Sequence, residues 1–392
     1  MMKSTTRTVN RITRYCLAGF ALYLLPTTGW AQEEEEKIKL SFRSRGLFDV
    51  SLTDYDNGKL KSYYRMEDFR VGFKGVYKQF ELKVDVGLGG GKVAIKDFLV
   101  SYAFKNSTLT VGNAYEPFSM DMLISTYDLR FNQSASTVLA MTNSRRIGVT
   151  YHLQKPSLYF AIGAYSDNDI NKLGNKELKQ AYAATTRAVY RPVCSEDRLV
   201  HIGGALSVRT PDSEEKNTAS YRTTAISSCG ITSMFGEDLL SAEVTDSKLQ
   251  VKSLVEFLAY HRKFLFQTEY MRTDVRRHNF LPTYSAQGAY IHLCYLLKGS
   301  TYGYDQAYAI PTRPTEPGSI ELALRLNYTD MNDQRSGING GSQKDISLGV
   351  NYYFNRYLSA KLNGSYTFVG NHCNPFYQKD LFLMQARLQY IF

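Results

Sequence analysis

The chain of 392 residues lacks a long apolar segment, and no run reaches the length of about eighteen residues that a membrane-spanning helix needs. Its mean hydropathy is negative, at -0.32. Helical periodicity is also scarce after the first thirty or so residues, which argues against a helical protein. These absences leave a protein built from strands.

Cysteine is scarce too, with five residues in the whole chain. Beyond Cys16, the four that remain are Cys194, Cys229, Cys294 and Cys373, and they lack the close spacing of a metal site. Two readings stay open: incidental thiols, or one ordinary disulfide. The sequence therefore predicts no metal site and no cofactor.

A clustered basic patch is also missing, although the formal net charge is +10. The Lys and Arg residues are spread along the chain instead of forming one stripe. Together with a secretion signal at the N-terminus, this distribution argues against nucleic acid as a partner.

Residues 1–31 are predicted to be a cleaved secretory signal. A positive segment without acidic residues precedes an apolar run from Leu17 to Leu25, and small residues follow at Gly29 and Ala31. The mature chain is expected to begin near Gln32. Residues 32–36 are mostly glutamate and are interpreted as an acidic periplasmic leader.

Alternation of apolar and polar residues recurs from residue 37 to the end of the chain. In residues 382–392 the even positions are apolar or aromatic, while Gln385, Arg387 and Gln389 lie between them. Such a strand has one apolar and one polar face and is long enough to cross a bilayer when tilted. The chain also has 30 Tyr and 21 Phe, residues that membrane barrels place at both interfaces. An edge strand of a soluble sandwich is the alternative.

Short and long connections alternate between these strands. This pattern predicts an all-β, transmembrane, antiparallel up-and-down barrel with short periplasmic turns and long outer loops, located in the bacterial outer membrane. We count sixteen strands, or eighteen if Tyr221 and Glu243 lie on an extra membrane hairpin. One connection departs from the pattern, because residues 298–319 form a long link that parity places on the periplasmic side.

The segment from Val111 to Thr150 contains a set of spaced positions that carry a family resemblance. They are Gly112, Pro117, Phe118, Ser119, Ser125, Phe131, Arg146 and Gly148. On these positions the segment resembles the phosphate-selective porin family of the O and P type. Further matches are residues 267–271, 320–325, 348–354 and 386–392, so the resemblance extends over almost all of the mature chain.

This resemblance implies a sixteen-stranded porin, a homotrimer, and a third outer loop that folds into the lumen. The loop here is about residues 113–144. The family's constriction is rich in Arg and Lys, whereas this loop carries Arg130 beside the acids Glu116, Asp121 and Asp128. Membrane lipid, lipopolysaccharide and small anions such as phosphate are the implied partners. Whether the pore selects phosphate stays open.

Parity separates lumen-facing residues from lipid-facing ones, because apolar positions face outward. The predicted acids of the lumen are Asp85, Asp97, Glu269 and Glu321. The predicted bases are more numerous, and because they would concentrate anions, an anion-preferring porin follows. They are Lys37, Lys39, Arg43, Arg70, Lys74, Lys83, Arg146, Arg187, Arg325, Lys361 and Arg387.

Two other functions are weighed against a diffusion pore. A barrel enzyme would need a Ser–His or Asp–His pair converging at one membrane edge, and no catalytic residues are predicted. His152, His201 and His292 have lumen parity and are interpreted as ordinary polar groups. A structural or adhesive barrel with a plugged lumen is the second alternative, which a measurable conductance would exclude.

Overall fold

A computed structural model describes residues 37–56, 59–89, 93–166, 170–172, 181–211, 223–234, 236–370 and 380–392. The predicted signal (1–31), the acidic leader (32–36) and Cys373 lie outside these residues.

Most of the described chain consists of β-strands. Sixteen strands form a closed antiparallel barrel in chain order, and β1 pairs with β20 to complete it. The barrel strands are β1 Lys39–Asp56, β2 Lys59–Tyr77, β3 Phe80–Gly87, β4 Ala94–Ala103, β5 Ser107–Ala114, β6 Arg146–Gln154, β7 Leu158–Ser166, β8 Tyr182–Cys194, β9 Arg198–Arg209, β12 Ser247–His261, β13 Phe264–Arg277, β14 Tyr284–Lys298, β17 Ser319–Asp333, β18 Ile338–Tyr353, β19 Leu358–Gly370 and β20 Leu381–Ile391.

Four more strands form two separate hairpins, β10 Thr224–Ser228 with β11 Leu240–Val244, and β15 Tyr302–Asp305 with β16 Ile310–Pro314. The count of sixteen is therefore confirmed and the alternative of eighteen is wrong. Glu243 lies on β11, outside the barrel wall, and Tyr221 lies outside the described residues.

The two faces of the wall follow the predicted alternation. On β20, Phe382, Met384 and Leu388 are exposed on the outside, while Gln385 and Arg387 are buried inside. An apolar outer face suits a hydrocarbon surround, and the polar inner face is shielded from it. No helix within the described residues is long and apolar enough to span a membrane.

One end of the barrel carries short turns, which we name the short-turn end. Two of these turns have only two residues between the paired strands, and Lys78 and Arg262 adopt a φ of 52° there. Tight hairpins require such left-handed backbone. The opposite end, here the long-loop end, carries the connections between β5 and β6 and between β9 and β12.

The connection between β5 and β6 folds inside the barrel. It contains two short helices, α1 Met120–Leu123 and α2 Ser136–Met141, and most of its side chains are buried. The Ser119 hydroxyl caps α1 by accepting a hydrogen bond from the Met122 amide at 3.2 Å. We call residues 115–145 the inner segment.

The β10–β11 hairpin also folds inward from the long-loop end. Ile226 and Leu240 share a buried apolar cluster with Val138 and Met141 of the inner segment. The hydroxyls of Ser228 and Ser136 lie 3.1 Å apart. Burial of these apolar faces holds the hairpin against α2.

The β15–β16 hairpin enters from the short-turn end. It explains why residues 298–319 form a long link on the side where parity predicts a short turn. Tyr304 packs near Tyr159 of β7, and Tyr302 packs in a cluster with Phe131 of the inner segment. The barrel is thus filled from both ends.

The described cysteines form no disulfide with one another. Cys194, Cys229 and Cys294 are free thiols. Of the two readings left open by the sequence, a bridge among these three is not formed.

Candidate functional site

The predicted lumen bases fall into two groups that differ in exposure. The first lies on the inner face of β1–β3, where side chains keep between 13% and 41% of their surface exposed. Its members are Arg43, Arg70, Lys74 and Lys83.

Strand register orders this first group along the wall. Lys74 pairs across the sheet with Lys83, nearest the short-turn end. Arg43 lies in the next inward row, and Arg45 pairs with Arg70 one row further towards the long loops. We call this series, together with Lys96 and Arg145 beside it, the base column.

Acids in the base column are shared between bases. Asp68 binds both Arg45 (2.6 Å) and Arg70 (2.8 Å). Asp97 binds both Lys83 (2.7 Å) and Arg145 (2.5 Å). Because each carboxylate carries one charge and faces two bases, positive charge remains in excess along this wall.

Asp85 joins the same network, since its carboxylate lies 2.9 Å from Arg43 and 3.7 Å from Lys83. Towards the short-turn end, Lys74 and Glu81 form a half-exposed pair at 2.6 Å. Ion pairs with this exposure are screened by water and are individually weak. The wall therefore offers several weak charged positions in a row.

The second group of predicted bases is buried. Arg187 is fully buried and lies 2.9 Å from the Glu256 carboxylate. Its other guanidinium nitrogens donate to the carbonyls of Tyr308 and Ala309, each at 2.8 Å. Arg187 therefore anchors the β15–β16 hairpin to the wall.

Arg325 and Lys361 anchor the inner segment in the same way. Arg325 donates to the Gln133 carbonyl at 2.8 Å and lies over the Phe131 ring. The Lys361 ammonium donates to the Leu129 carbonyl. Both bases bind backbone oxygens that would otherwise be buried without partners.

Arg387 belongs to the buried group as well, but it joins the first and last strands. Its guanidinium binds Asp49 of β1 through two hydrogen bonds of 2.6 and 2.7 Å. Such a two-point contact is the strongest form of an Arg–carboxylate pair. We call this pair the seam bridge.

The remaining predicted bases lie near the ends of strands. Lys37 and Lys39 are exposed, and Lys39 begins β1 at the short-turn end. Arg146 begins β6 and donates to the Ser144 hydroxyl at 2.7 Å.

Glu116 of the inner segment faces away from the base column. It accepts hydrogen bonds from Thr185 (2.7 Å) and Asn143 (3.0 Å), and it is ion-paired with Arg209. Its charge is thus compensated on the opposite side of the barrel.

Asp121 and Asp128 are also buried in the inner segment. Burial raises the pKa of both carboxyls, against the opposing effect of nearby arginines. Asp128 lies 3.6 Å from Arg313 of the hairpin. Neither acid is free to place its charge in an open passage.

Arg130 does not reach the base column either. Its guanidinium lies 3.7 Å from the buried Glu321 carboxylate and donates to the Thr312 carbonyl at 3.3 Å. Arg130 therefore joins the inner segment to β17 and to the β15–β16 hairpin.

The inner segment contacts the base column through two tyrosines, Tyr115 and Tyr127. The Arg145 guanidinium carbon lies 4.2 Å from the ring centroid of Tyr115. The guanidinium carbons of Arg45 and Arg313 each lie 5.6 Å from the ring centroid of Tyr127. The segment thus faces these bases with neutral, electron-rich rings.

Three residues of the base column were not singled out from the sequence. Arg45 shares the parity of Arg43, so the alternation could have identified it. Arg145 directly precedes β6, outside any strand pattern. Lys96 has the parity of outward residues and gives no inward signal.

The three histidines with lumen parity are buried among polar or aromatic groups. His152 lies 3.0 Å from the Tyr159 hydroxyl, and His201 lies 3.0 Å from Glu256. His292 lies between the rings of Tyr290 and Phe131. Across the described residues, no group of three or more His, Cys, Asp or Glu could hold a metal ion.

The family described as phosphate-selective porin O and P matches residues 38–392 of the chain. A curated protein of Caulobacter vibrioides, described as uncharacterised, is 25% identical over 331 residues. That alignment covers 77% of this chain but only 64% of the relative, so the chain spans less than two thirds of the relative's length.

Solved structures resemble the fold. The anion-selective porin from Comamonas acidovorans has a TM-score of 0.59 and 10% identity, covering 91% of this chain and 100% of that one. The trimer form of OmpT, an outer membrane protein of Vibrio cholerae, has a TM-score of 0.58 and 11% identity, covering 91% and 99%. At these identities the likeness shows the barrel fold alone.

Proposed function

The chain belongs to the phosphate-selective porin O and P family, and from this premise we propose that it is a porin for passive diffusion of small solutes with a preference for anions. Its location is the bacterial outer membrane, where this family of barrels resides. The short-turn end then faces the periplasm and the long-loop end faces outward.

The observation that carries the anion preference is the base column along β1–β4 and at Arg145. Its bases outnumber the acids Asp68, Glu81, Asp85 and Asp97, and several keep part of their surface in water. A wall of low dielectric strengthens the resulting field and concentrates anions in the passage. Weak sites in series also allow an ion to leave each one, which conduction requires.

The acids of the inner segment do not oppose this preference. Glu116 and Asp121 are buried with partners on β8, β9 and β13, on the far side from the base column, and Asp128 is buried beside Arg313. Their number in the sequence argued against a base-lined constriction, but each carboxyl is enclosed by protein groups. Tyr115 and Tyr127 are the residues of the inner segment that lie against bases of the base column.

We assign the pathway to Arg43, Arg45, Arg70, Lys74 and Lys83 among the bases of β1–β3. The buried bases have a different role in this proposal. Arg187, Arg325 and Lys361 hold the two inward-folded elements in place, and Arg387 holds β20 to β1.

The experiment that tests the proposal is a reversal-potential measurement on the purified protein in a planar bilayer under a potassium chloride gradient. We expect the sign of the potential to indicate chloride as the more permeant ion. A potential of the opposite sign would refute anion preference. Absence of single-channel conductance would instead favour the plugged structural barrel.

Titration of the chloride current with phosphate tests the finer selectivity that the family's name suggests. Saturating block by phosphate would indicate a phosphate site, and a simple additive current would indicate a general anion pore. The family assignment favours a channel over a barrel enzyme.

A homotrimer is the assembly that we propose, since a trimer form is stated for the structurally similar OmpT of Vibrio cholerae. The outer wall is apolar along its whole circumference, so lipid and the neighbouring copies would share it. Sedimentation in detergent would give the mass of the complex, and a monomer would contradict the assembly.

A further inference from the structure

A β-bulge interrupts the pairing of β4 with β3 beside the base column. Asp97 pairs with Asp85 and Ile95 pairs with Val86, so Lys96 is one extra residue on β4. A bulge breaks the strict alternation of a strand and redirects a side chain. Lys96 would otherwise point to the lipid, on the opposite face from Asp97.

The Lys96 side chain fits against the inner face because the neighbouring residue, Gly87, has no side chain. Gly87 follows Lys83 and Asp85 at inward parity on β3. A β-carbon at Gly87 would lie 2.6 Å from the Cε atom of Lys96, closer than atoms can pack. The Lys96 side chain therefore crosses the inner surface over Gly87, next to Arg70 in strand register.

The backbone of the bulge is fixed by side chains. The buried Asn113 on β5 donates to the Lys96 carbonyl at 2.8 Å. The Asn171 amide donates to the Ile95 carbonyl and accepts from the Ile95 amide, both at 2.8 Å. Polar groups that the bulge removes from the strand ladder are thereby satisfied, which makes the bulge a stable feature.

Charge around Lys96 is mostly positive. Arg70, Arg145 and Arg45 act on its ammonium as like charges, and Asp68 is the one carboxylate among its principal electrostatic neighbours. Asp68 already binds Arg45 and Arg70. Among the described residues, the Lys96 ammonium forms no ion pair.

Other bases of the column are compensated at close range. Arg43, Lys83 and Lys74 have carboxylate oxygens at 2.9, 2.7 and 2.6 Å. Their fields are therefore partly cancelled at the position of a passing ion. Lys96 keeps its full charge for a ligand.

We propose that Lys96 is the selectivity-determining residue of the channel, binding a small permeating anion together with Arg45 and Arg70 beside the inner segment. This inference rests on the proposed function. A divalent oxyanion such as sulfate is held more strongly than chloride, because twice the charge faces the same cations.

The primary test compares Lys96→Gln with Lys74→Gln in planar bilayers. Both variants remove one lumen base, but Lys74 is paired with Glu81 whereas Lys96 is unpaired. We expect Lys96→Gln to lower the chloride-to-potassium permeability ratio about three- to tenfold, as one unit charge in a partly wet site predicts. Lys74→Gln should change the ratio less, and Lys96→Arg should keep it near the wild-type value.

A second variant moves the ammonium without removing any charge. Gly87→Ala places a methyl group where the Lys96 side chain lies and should displace it. We expect weaker block of the chloride current by sulfate and a lower permeability ratio, although the net charge is unchanged. Heat-modifiable migration on a gel and normal insertion into bilayers show that each variant is folded.

Equal permeability ratios for wild type and Lys96→Gln, with wild type preferring chloride, would overturn the role of Lys96 alone. An equal effect of Lys74→Gln and Lys96→Gln would overturn it too, because net charge would then explain both. A wild-type channel that prefers potassium would instead overturn the proposed function.

Discussion

The inner wall of β1–β4 and the inner wall of β7–β20 carry similar charged residues in different surroundings. On β1–β4, Arg43 keeps 41% of its side chain exposed and belongs to the proposed anion pathway. On β8, Arg187 keeps none and is bonded to Glu256 and to the β15–β16 hairpin. Alternation along a strand identifies the residues on the inner face of the barrel. Whether such a base stays exposed or is bound to protein depends on whether an inward-folded element covers it.

Shortening the β15–β16 hairpin should have the largest effect on conductance, because it uncovers part of the covered wall. Replacing residues 302–314 by a short Gly-Ser turn removes an element that covers Arg187 and Arg191. Single-channel conductance should rise clearly while the sign of the reversal potential stays the same, because the base column is untouched. Unchanged conductance in a folded variant would show that the hairpin does not narrow the passage.

Arg187→Met should have the next largest effect. Removing one partner of a buried ion pair costs about 3–5 kcal/mol, because the Glu256 carboxylate loses its cation and keeps only the contact with His201. Loss of the β-sheet circular dichroism signal on heating would report the lower stability.

The matched control is Arg43→Met on the open wall. Its exposed pair with Asp85 contributes about 0–1 kcal/mol, so stability should change little while the anion preference falls. Equal destabilisation by the two variants would break the distinction between the covered wall and the open wall.

Asn113→Ala should produce a smaller change, at the bulge and at Ile170, whose amide donates to the Asn113 side-chain oxygen at 3.2 Å. Loss of the hydrogen bond to the partly buried Lys96 carbonyl should cost about 1 kcal/mol. The chloride-to-potassium ratio should fall less than in Lys96→Gln, because the ammonium remains but is less well fixed. A ratio unchanged from wild type would show that Asn113 does not position Lys96.

The smallest effect is expected for Asp121→Asn and depends on pH. Burial raises the pKa of Asp121, so the folded protein retains this proton at pH values where the unfolded chain has lost it. The contribution of this carboxyl to the free energy of unfolding is therefore greatest below the pKa of an aspartate in the unfolded chain. It falls as the pH rises from that value through the higher pKa of Asp121 in the folded protein.

The midpoint of thermal unfolding, followed from about pH 4 to about pH 7, measures this effect. The unfolding midpoint of Asp121→Asn should depend less on pH than that of wild type, since the amide does not titrate. Asp197→Asn, at an exposed turn, is the control and should retain the wild-type dependence. The same pH dependence in all three proteins would contradict an effect of burial at Asp121.

Much of the barrel could be predicted from the sequence, because a membrane imposes a strict alternation on every strand. Alternation of apolar and polar residues correctly predicted that Arg43, Lys83 and Arg387 lie on the inner face of the barrel. The eighteen-strand alternative was wrong because β10 and β11 have only five residues each in the structure, whereas a membrane strand needs about nine to eleven. The connection between β9 and β12 is long enough for a membrane hairpin, so its length did not reveal this.

The site was less predictable, for two physical reasons. Whether Arg325 or Lys361 is covered depends on where the inner segment packs, which the periodicity of their own strands does not encode. Lys96 is hidden for another reason: alternation with Phe98 and Val100 assigns it to the lipid face, and only the bulge moves it inward. Local pattern fails where one extra residue changes the register.

The seam bridge between Asp49 and Arg387 has a consequence for how the barrel assembles. The two residues are separated by 338 positions in the chain, so their contact closes a loop that contains all the intervening strands. Contacts of such long sequence separation close late in folding. A late contact slows opening without speeding the earlier steps. The bridge is therefore expected to lower the rate at which the closed barrel opens. Its loss should shorten the lifetime of the closed barrel more than it delays assembly.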